Sequence, residues 1–425
     1  MHSHVSPRAP GALRLLLALF LAVAAPARGQ SGSTPAQPSP EGPGPSTPAP
    51  AAEPPTTPPT TITAEPGRGI VVKAGDRFSF GLRARIQLRD TFLHFDRDDT
   101  NEIQVRTLRL IVGGNVLAPE LRYNIQLAFG GNDFETGSSS PIFDAFVEYT
   151  RWRDVNIRVG QFFVPLDRAR TIREFALQFV DRQQVVRELN LDRDVGVMLS
   201  SNNLFGLNEW LGYQFFIGGG DGRNRFAAYA PGPLTVLRLT LRPFGAFDDD
   251  QEADLTRSAK PRLSLGVAAG YNHRTSRRNS TIGTAFTAGT ANYSHLAADV
   301  VFKYRGFSLL AEGLWRKAHR DVLEQTTGTT PTRDVTRSGY GYFVQGGQLV
   351  SPQVELTARW EQLFARKGTD PQLIQLVETQ GKQIGAGFNV YLNGHAFKLQ
   401  GDYFYIFGST GEPRHLARLQ LDASF

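Results

Sequence analysis

Apolar residues recur at every second position in one stretch of this chain after another, from Arg77 to the last residue, Phe425. In the first stretch, between Phe78 and Leu88, phenylalanine, leucine, alanine and isoleucine alternate with serine, glycine, arginine and glutamine. Successive side chains of a β-strand point to opposite faces, so the pattern predicts strands with one apolar and one polar face. A soluble β-sheet with one face packed against a protein core shows the same alternation. The pattern alone therefore does not say whether the apolar face contacts lipid.

The alternating runs predict about sixteen strands. They lie near residues 77–89, 102–114, 120–130, 142–150, 154–163, 193–201, 208–218, 234–244, 261–272, 291–304, 306–317, 338–350, 353–364, 381–392, 395–406 and 413–425. An even number of strands returns the chain to the side from which it started. We therefore expect both ends of the folded domain on the same side of a membrane, the periplasmic side.

The connections between the runs alternate between short and long. Asn115–Pro119 and Ser351-Pro352 are tight turns, whereas Val164–Asp192 is about thirty residues long. Short periplasmic turns and longer external loops are typical of outer-membrane barrels, and a soluble β-propeller does not give this alternation. Gly245–Lys260 is an exception, because it is long where a short turn is expected. The last run ends on an aromatic residue without a polar tail, as a closing barrel strand does. The predicted fold is an all-β transmembrane antiparallel β-barrel.

The amino-terminal part of the chain has a different composition. Arg8 and Arg14 precede an apolar stretch, Leu15–Ala25, which small residues follow, so residues 1–29 are predicted to be a signal peptide. Residues 30–69 are rich in proline, threonine and alanine, which predicts a disordered periplasmic segment that is either a spacer or a tether through the cell wall. Residues 70–425 are then the barrel domain. No run of 18 apolar residues exists, which excludes a helical membrane span.

Stability must come from the closed hydrogen bonding of the sheet, because an exported chain without cysteine has no disulfides. The predicted location is the outer membrane of a Gram-negative bacterium, with the barrel wall in contact with lipid.

The polar faces of the strands are rich in arginine. The chain has 46 lysines and arginines, of which 7 are lysine and 39 arginine. In a barrel these faces line the lumen, where a planar, permanently charged guanidinium suits phosphate or carboxylate oxygens. The predicted anion-pathway residues are Arg83, Arg85, Arg106, Arg109, Arg122 and Arg158. Arg106 has the parity of its apolar neighbours, so it faces the lumen only if a β-bulge shifts the register.

An alternative role for each of these arginines is ion pairing with acids on the lumen face. The candidate acids are Asp144, Glu148, Glu312, Glu355 and Asp422. For the amino-terminal group we favour anions, because the cores of the first three strands contain hardly any acid.

The long connection Val164–Asp192 mixes apolar residues with charged ones. A structureless loop of this length in a compact domain is usually functional or disordered. Its composition predicts that it folds into the barrel mouth and forms a constriction with Arg168, Arg170 and Arg173. Capping the exterior of the barrel is the alternative.

Four stretches of sequence resemble the phosphate-selective porin O/P family of outer-membrane channels. They are Arg106-Thr-Leu-Arg109-Leu110 with Gly113-Gly114; Tyr123-Asn-Ile-Gln-Leu with Phe129; Asp144-Ala-Phe-Val-Glu-Tyr149 with Val159-Gly-Gln-Phe-Phe-Val-Pro165; and Arg193-Asp-Val-Gly196-Val197. The resemblance implies a sixteen-stranded barrel, usually a homotrimer, with a ladder of arginines and inward-folded loops. It also makes the barrel-assembly machinery an expected partner, through the last strand. Where the family has a second arginine this chain has Thr107, and lysine is scarce. The sequence therefore predicts a preference for anions in general and not selectivity for phosphate.

The predicted function is therefore passive diffusion of anions, with phosphate and polyphosphate as candidate substrates. A general non-selective porin or a structural barrel that contacts the cell wall is the alternative. The sequence has no Gly-x-Ser-x-Gly stretch and no His-x-x-x-His pair. No enzymatic activity, metal site or cofactor is therefore predicted. The basic charge is explained by lumen arginines, so nucleic acid is not an expected partner.

Overall fold

The computed structural model describes residues 59–96, 98–131, 133–134, 140–225, 232–327, 330–408 and 412–425. Within them the strands are β1 (Thr60–Glu65), β2 (Gly69–Ala74), β3 (Phe78–Phe95), β4 (Asp98–Val116), β5 (Ala118–Ala128), β6 (Ile142–Tyr149), β7 (Asn156–Phe163), β8 (Arg193–Ser201), β9 (Leu211–Gly218), β10 (Leu234–Leu241), β11 (Arg262–Thr275), β12 (Ala291–Tyr304), β13 (Phe307–Ala318), β14 (Val322–Thr327), β15 (Thr330–Val335), β16 (Gly339–Leu349), β17 (Val354–Ala365), β18 (Lys382–Asn393), β19 (Phe397–Phe407) and β20 (Arg414–Ser424). The helices are α1 (Arg168–Thr171), α2 (Gln184–Leu189) and α3 (Pro371–Gln380). None of these helices is long and apolar enough to cross a membrane.

Sixteen of the strands close into an antiparallel barrel. The main sheet has 18 strands, and β1 and β2 form a hairpin beside the barrel, which leaves sixteen for the wall. Each wall strand pairs with the next, and β20 pairs with β3 to close the ring, with Leu421 opposite Leu88. The last residue extends this seam, because Phe425 and Ala84 exchange backbone hydrogen bonds of 3.0 and 2.7 Å. The predicted sixteen-stranded barrel is therefore confirmed.

The two faces of each wall strand differ as the alternation predicted. On β12, Leu296 points outward and is 51% exposed, whereas the inward-pointing Asp299 is 3% exposed. Aromatic rings gather on the outward face near the strand ends, as at Tyr340, which stacks on Phe364 with the centroids 4.9 Å apart. This is the arrangement of an apolar band between two aromatic girdles, which suits a bilayer.

Three features differ from the sequence-based expectation. β3 and β4 are longer than predicted, because their outer ends pair as a ribbon up to Phe95 and Asp98, where polar residues no longer alternate with apolar ones. The loop between β13 and β16 contains the hairpin of β14 and β15. Thr60–Glu65 was placed in the disordered segment, and that is wrong for these residues: their β-branched side chains suit the strand that pairs with β2. The signal peptide and residues 30–58 of the proline-rich segment lie outside the described residues.

A charge placed on the outer face should destabilise the barrel because it would lie in hydrocarbon. Ala386 is in the middle of β18 on the exposed, lipid-facing side. We expect Ala386→Arg to lower the free energy of unfolding by about 2–4 kcal/mol, and Ala386→Leu to leave it nearly unchanged. Urea unfolding of the protein refolded in lipid vesicles measures both. Equal stability of the two variants would contradict a lipid-facing position.

Candidate functional site

The connection between β7 and β8, residues 164–192, lies inside the barrel. Its backbone and side chains bond to inward-facing residues on the far side of the wall. The Gln178 amide donates to Ser308 at 2.7 Å and to Glu355 at 2.6 Å, and the backbone N–H of Val180 donates to Asp402 at 2.9 Å. We call this connection the inner loop. It contains α1 and α2, and Asp167 caps α1 by accepting from the backbone N–H of Arg170 at 2.7 Å.

The inner loop fills one side of the lumen with an apolar core. The core joins loop residues to the inward faces of β8 to β13, β16 and β17. From the loop it includes Leu166, Ala169, Ile172, Leu177, Val185, Val186 and Leu189, and from the wall Phe216, Val236, Val301, Leu310, Leu314, Phe343 and Leu363. Buried apolar area of this size stabilises the loop in one position. The core therefore reduces the part of the lumen that is open to water and solutes.

The long periplasmic link between β10 and β11 also folds into the barrel, which explains its unexpected length. Asp249 of this link pairs with Arg168 of the inner loop at 3.0 Å and with Arg242 at 3.0 Å. Glu252 accepts from the backbone N–H of Gln178 at 2.6 Å. The link thus contacts the inner loop through Asp249 and Glu252 and helps to hold it in place.

Two cavities remain on the open side of the lumen. The outer one, of about 580 Å³, is bounded by β3, β4, β20 and the inner loop, and the inner one, of about 650 Å³, by β5 to β10 and the periplasmic link. A much smaller space of about 20 Å³ touches both. It shares Glu174 and Arg182 with the outer cavity, and Phe163, Arg173 and Phe175 with the inner cavity. We call this space the neck.

Arginine is the commonest residue in the lining of the neck. Its lining contains five arginines and one acid, together with Ile111, Gln126 and two phenylalanines: Arg85, Arg109, Arg173, Arg182, Arg193 and Glu174. Arg85 and Arg109 come from β3 and β4, and Arg193 begins β8, so wall and loop meet at this level. A space that holds about one water is narrow enough for each passing ion to touch these groups.

Five of the nine predicted arginines are held by carboxylates. Arg85 bonds to Asp422 through two nitrogens, Arg109 to Asp133 and Glu174, Arg158 to Glu148, Arg168 to Asp299 and Asp249, and Arg170 to Asp192. The ion-pairing alternative therefore holds for these five. The scarcity of acids within the first three strands did not predict these ion pairs. The acids come from β20, β6, β12 and connecting loops, and they lie beside the arginines only in the closed barrel.

The other four predicted arginines have no carboxylate partner among the described residues. Arg83 donates to the backbone oxygen of Gly67 at 3.3 Å, and Arg122 to that of Pro119 at 3.4 Å. Arg106 lines the outer cavity, because a bulge in β4 shifts the register next to it: Gln87 faces Thr107, and Leu88 faces Val105. Arg173 is exposed and lines the neck. Of these four, Arg106 lies in the outer cavity, Arg173 at the neck and Arg122 in the inner cavity.

Sequence reasoning did not select several arginines that line the path. Arg89 and Arg418 lie in the outer cavity with Arg187 of α2, and Arg182 and Arg193 lie in the neck. Arg89 and Arg418 have the lumen parity of their strands, so the pattern contained a signal for them. The positions of Arg182 and Arg187 depend on the path of the inner loop, which no periodicity reports.

Two acids of the inner loop stay ionised because arginines surround them. Burial of Glu174 favours its neutral form, but Arg109, Arg85 and Arg182 outweigh this and hold the pKa of its carboxyl well below the usual range. Burial of Asp181 acts in the same way, and Arg89 with three other arginines again lowers the pKa. The site therefore keeps its charges throughout the neutral pH range.

The sequence profile of the family described as phosphate-selective porin O and P matches residues 80–410. The chain belongs to this family. This porin lies in the outer membrane of a Gram-negative bacterium, and its family and fold are those of a channel. No curated protein matches the chain at a significant level.

Solved porins share the fold at low sequence identity. The outer-membrane channel DcaP of Acinetobacter baumannii is 14% identical, with a TM-score of 0.51, over 81% of this chain and 97% of that one. OmpF of Salmonella typhi, in complex with daunomycin, is 12% identical, with a TM-score of 0.54, over 86% of this chain and 100% of that one. At sequence identities this low, the similarity shows only that the proteins share a fold.

The ion pairs around Arg168 should hold the inner loop in the lumen. Asp299 has no exposed side-chain surface and accepts from Arg168 and Arg238 at 2.5 Å each. Asp299→Asn leaves two buried cations short of charge compensation, so we expect a loss of about 3–5 kcal/mol in the free energy of unfolding. Urea unfolding in vesicles measures it, and trypsin should cleave the inner loop faster.

Glu65→Gln is the matched control, because its exposed pair with Arg68 contributes little. Unchanged stability and cleavage in Asp299→Asn would mean that the apolar core alone holds the loop.

Proposed function

We propose that this porin conducts small anions in preference to cations by passive diffusion. The observation that carries the proposal is the neck, a space of about 20 Å³ lined by five arginines, of which Arg173 and Arg182 have no carboxylate partner among the described residues. Fixed positive charge at a narrow, poorly screened level raises the local concentration of anions and repels cations. Passage needs no catalysis, since several weak charge-assisted contacts replace part of the hydration shell.

Arginines without carboxylate partners line the path from one cavity to the other. Arg106 and Arg187 lie in the outer cavity, Arg173 at the neck and Arg122 in the inner cavity. None of the four forms an ion pair among the described residues, although Arg106 and Arg187 act on Asp181 from a distance, whereas the paired arginines are largely neutralised by their acids. An anion thus meets successive positive groups and is never far from the next one.

Phosphate and polyphosphate remain the candidate substrates within this anion class. Arginine supports them, because its planar fork matches two oxygens of such an anion. Thr107 and the scarcity of lysine weigh against strong phosphate selectivity. The homotrimer and the contact with the barrel-assembly machinery stay predictions that follow from the family, and the signal peptide stays a prediction from the composition of residues 1–29.

Charge reversal of the unpaired arginines tests the proposal without breaking ion pairs. We expect the triple change Arg106→Glu, Arg122→Glu and Arg173→Glu to lower or reverse the preference for anions. Each reversal changes the energy of a nearby anion by about 1 kcal/mol in a wet lumen, which is close to fivefold in permeability ratio. Reversal potentials in a potassium chloride gradient across a planar bilayer measure the ratio.

Arg333→Glu is the control for one charge reversal outside both cavities, because this arginine lies exposed on β15. An unchanged anion preference in the triple variant would contradict the proposed pathway. A wild-type channel that does not distinguish anions from cations would support the general porin instead, and no conductance at all would favour a structural barrel. Repeating the measurement with phosphate in place of chloride separates phosphate preference from general anion preference.

A further inference from the structure

One carboxylate occupies the place in the neck where a passing anion would meet the arginines. The two oxygens of Glu174 lie 2.9 and 2.8 Å from one nitrogen of Arg109, and one of them lies 4.0 Å from Arg85. Arg173 and Arg182 line the same space. The neck is therefore already shaped around a carboxylate.

Glu174 differs from the other acids that hold the neck arginines. Asp422, behind Arg85, has no exposed side-chain surface and also accepts from Gln87 at 2.9 Å. Asp144, behind Arg193, is 5% exposed. The Glu174 side chain is 21% exposed and lines the neck and the outer cavity. Of the described carboxylates, Glu174 is thus the one that lines the neck itself.

The backbone around Glu174 leaves its side chain room to move. The residue starts a three-residue 3₁₀ helix, Glu174–Ala176, and its side chain receives no backbone hydrogen bond among the described residues. Asp299 and Asp422, by contrast, are enclosed by the wall. A change of side-chain torsion can therefore withdraw the carboxylate from the arginines without unfolding the loop.

We propose that the neck is a binding site for small carboxylates and oxyanions of similar size, with the Glu174 side chain as its resident, tethered ligand. This rests on the proposed function and names the residue that sets its selectivity. A passing anion takes over the contacts with Arg85, Arg109 and Arg182 while Glu174 is displaced. The tethered carboxylate competes at a high local concentration, so only anions that bond to the arginines as well as it does cross readily. It also keeps each anion from binding too tightly to leave.

Removal of the tethered carboxylate should create a vacant site that formate can fill. In Glu174→Ala we expect a several-fold higher chloride current than in the wild type, and a saturable decrease of that current when formate is added. In the wild type formate should have little effect, because the site is occupied. Glu174→Gln should raise the chloride current yet stay insensitive to formate, since the amide still fills the space.

The matched control is Glu148→Ala, which removes one lumen carboxylate from the inner cavity, where Glu148 pairs with Arg158 at 2.8 Å. We expect no formate block in this variant. Retarded migration of unheated samples in gel electrophoresis confirms that each barrel has assembled, and Glu174→Gln replaces Glu174→Ala as the test of current if the latter does not assemble.

The results separate this inference from the proposed function. An anion-selective wild type with a chloride current that does not rise in Glu174→Ala or Glu174→Gln overturns the inference alone. Formate block of the same size in Glu148→Ala and Glu174→Ala also overturns it, because the effect would then come from net lumen charge. A cation-selective wild type overturns the proposed function and the inference together.

Discussion

The ion pairs that join Arg168 to Asp299 and Asp249 connect the three parts on which this porin depends. Asp299 belongs to the wall, Arg168 to the inner loop and Asp249 to the periplasmic link. All three side chains are buried, so the charges compensate one another at low dielectric, and removal of any one leaves part of the remaining charge uncompensated. The position of the loop, and with it the width of the neck, depends on this junction.

The lumen contains both a tightly packed apolar core and an open path lined by polar residues. One side is an apolar core of loop and wall residues, and the other side is a wet path bordered by arginines. The core makes the loop rigid, which keeps the charged residues of the neck in place. Preorganised charge acts on an ion at no cost in reorganisation, so under the proposed function a rigid loop serves selectivity as well as stability.

Ion pairing divides the arginines by function. Those with carboxylate partners hold the barrel, the loop and the link together, as Arg193 does with Asp144 at 2.7 Å. Those without partners leave net positive charge along the path. The same residue type therefore supports the scaffold at one position and lines a cavity without an acid partner at another, and the difference lies in whether an acid from another segment reaches it.

The alternation of apolar and polar residues by itself determined the strands, their number and the face that each side chain takes. It works because neighbouring positions on a strand meet opposite environments, lipid and lumen, and this constraint is local. The tertiary structure alone decided which arginines are paired. Asp422 lies 337 residues from Arg85 in sequence and meets it only when the barrel closes. It also decided that the periplasmic link folds inward, and that a bulge turns Arg106 into the lumen, because both depend on contacts between segments that no periodicity records.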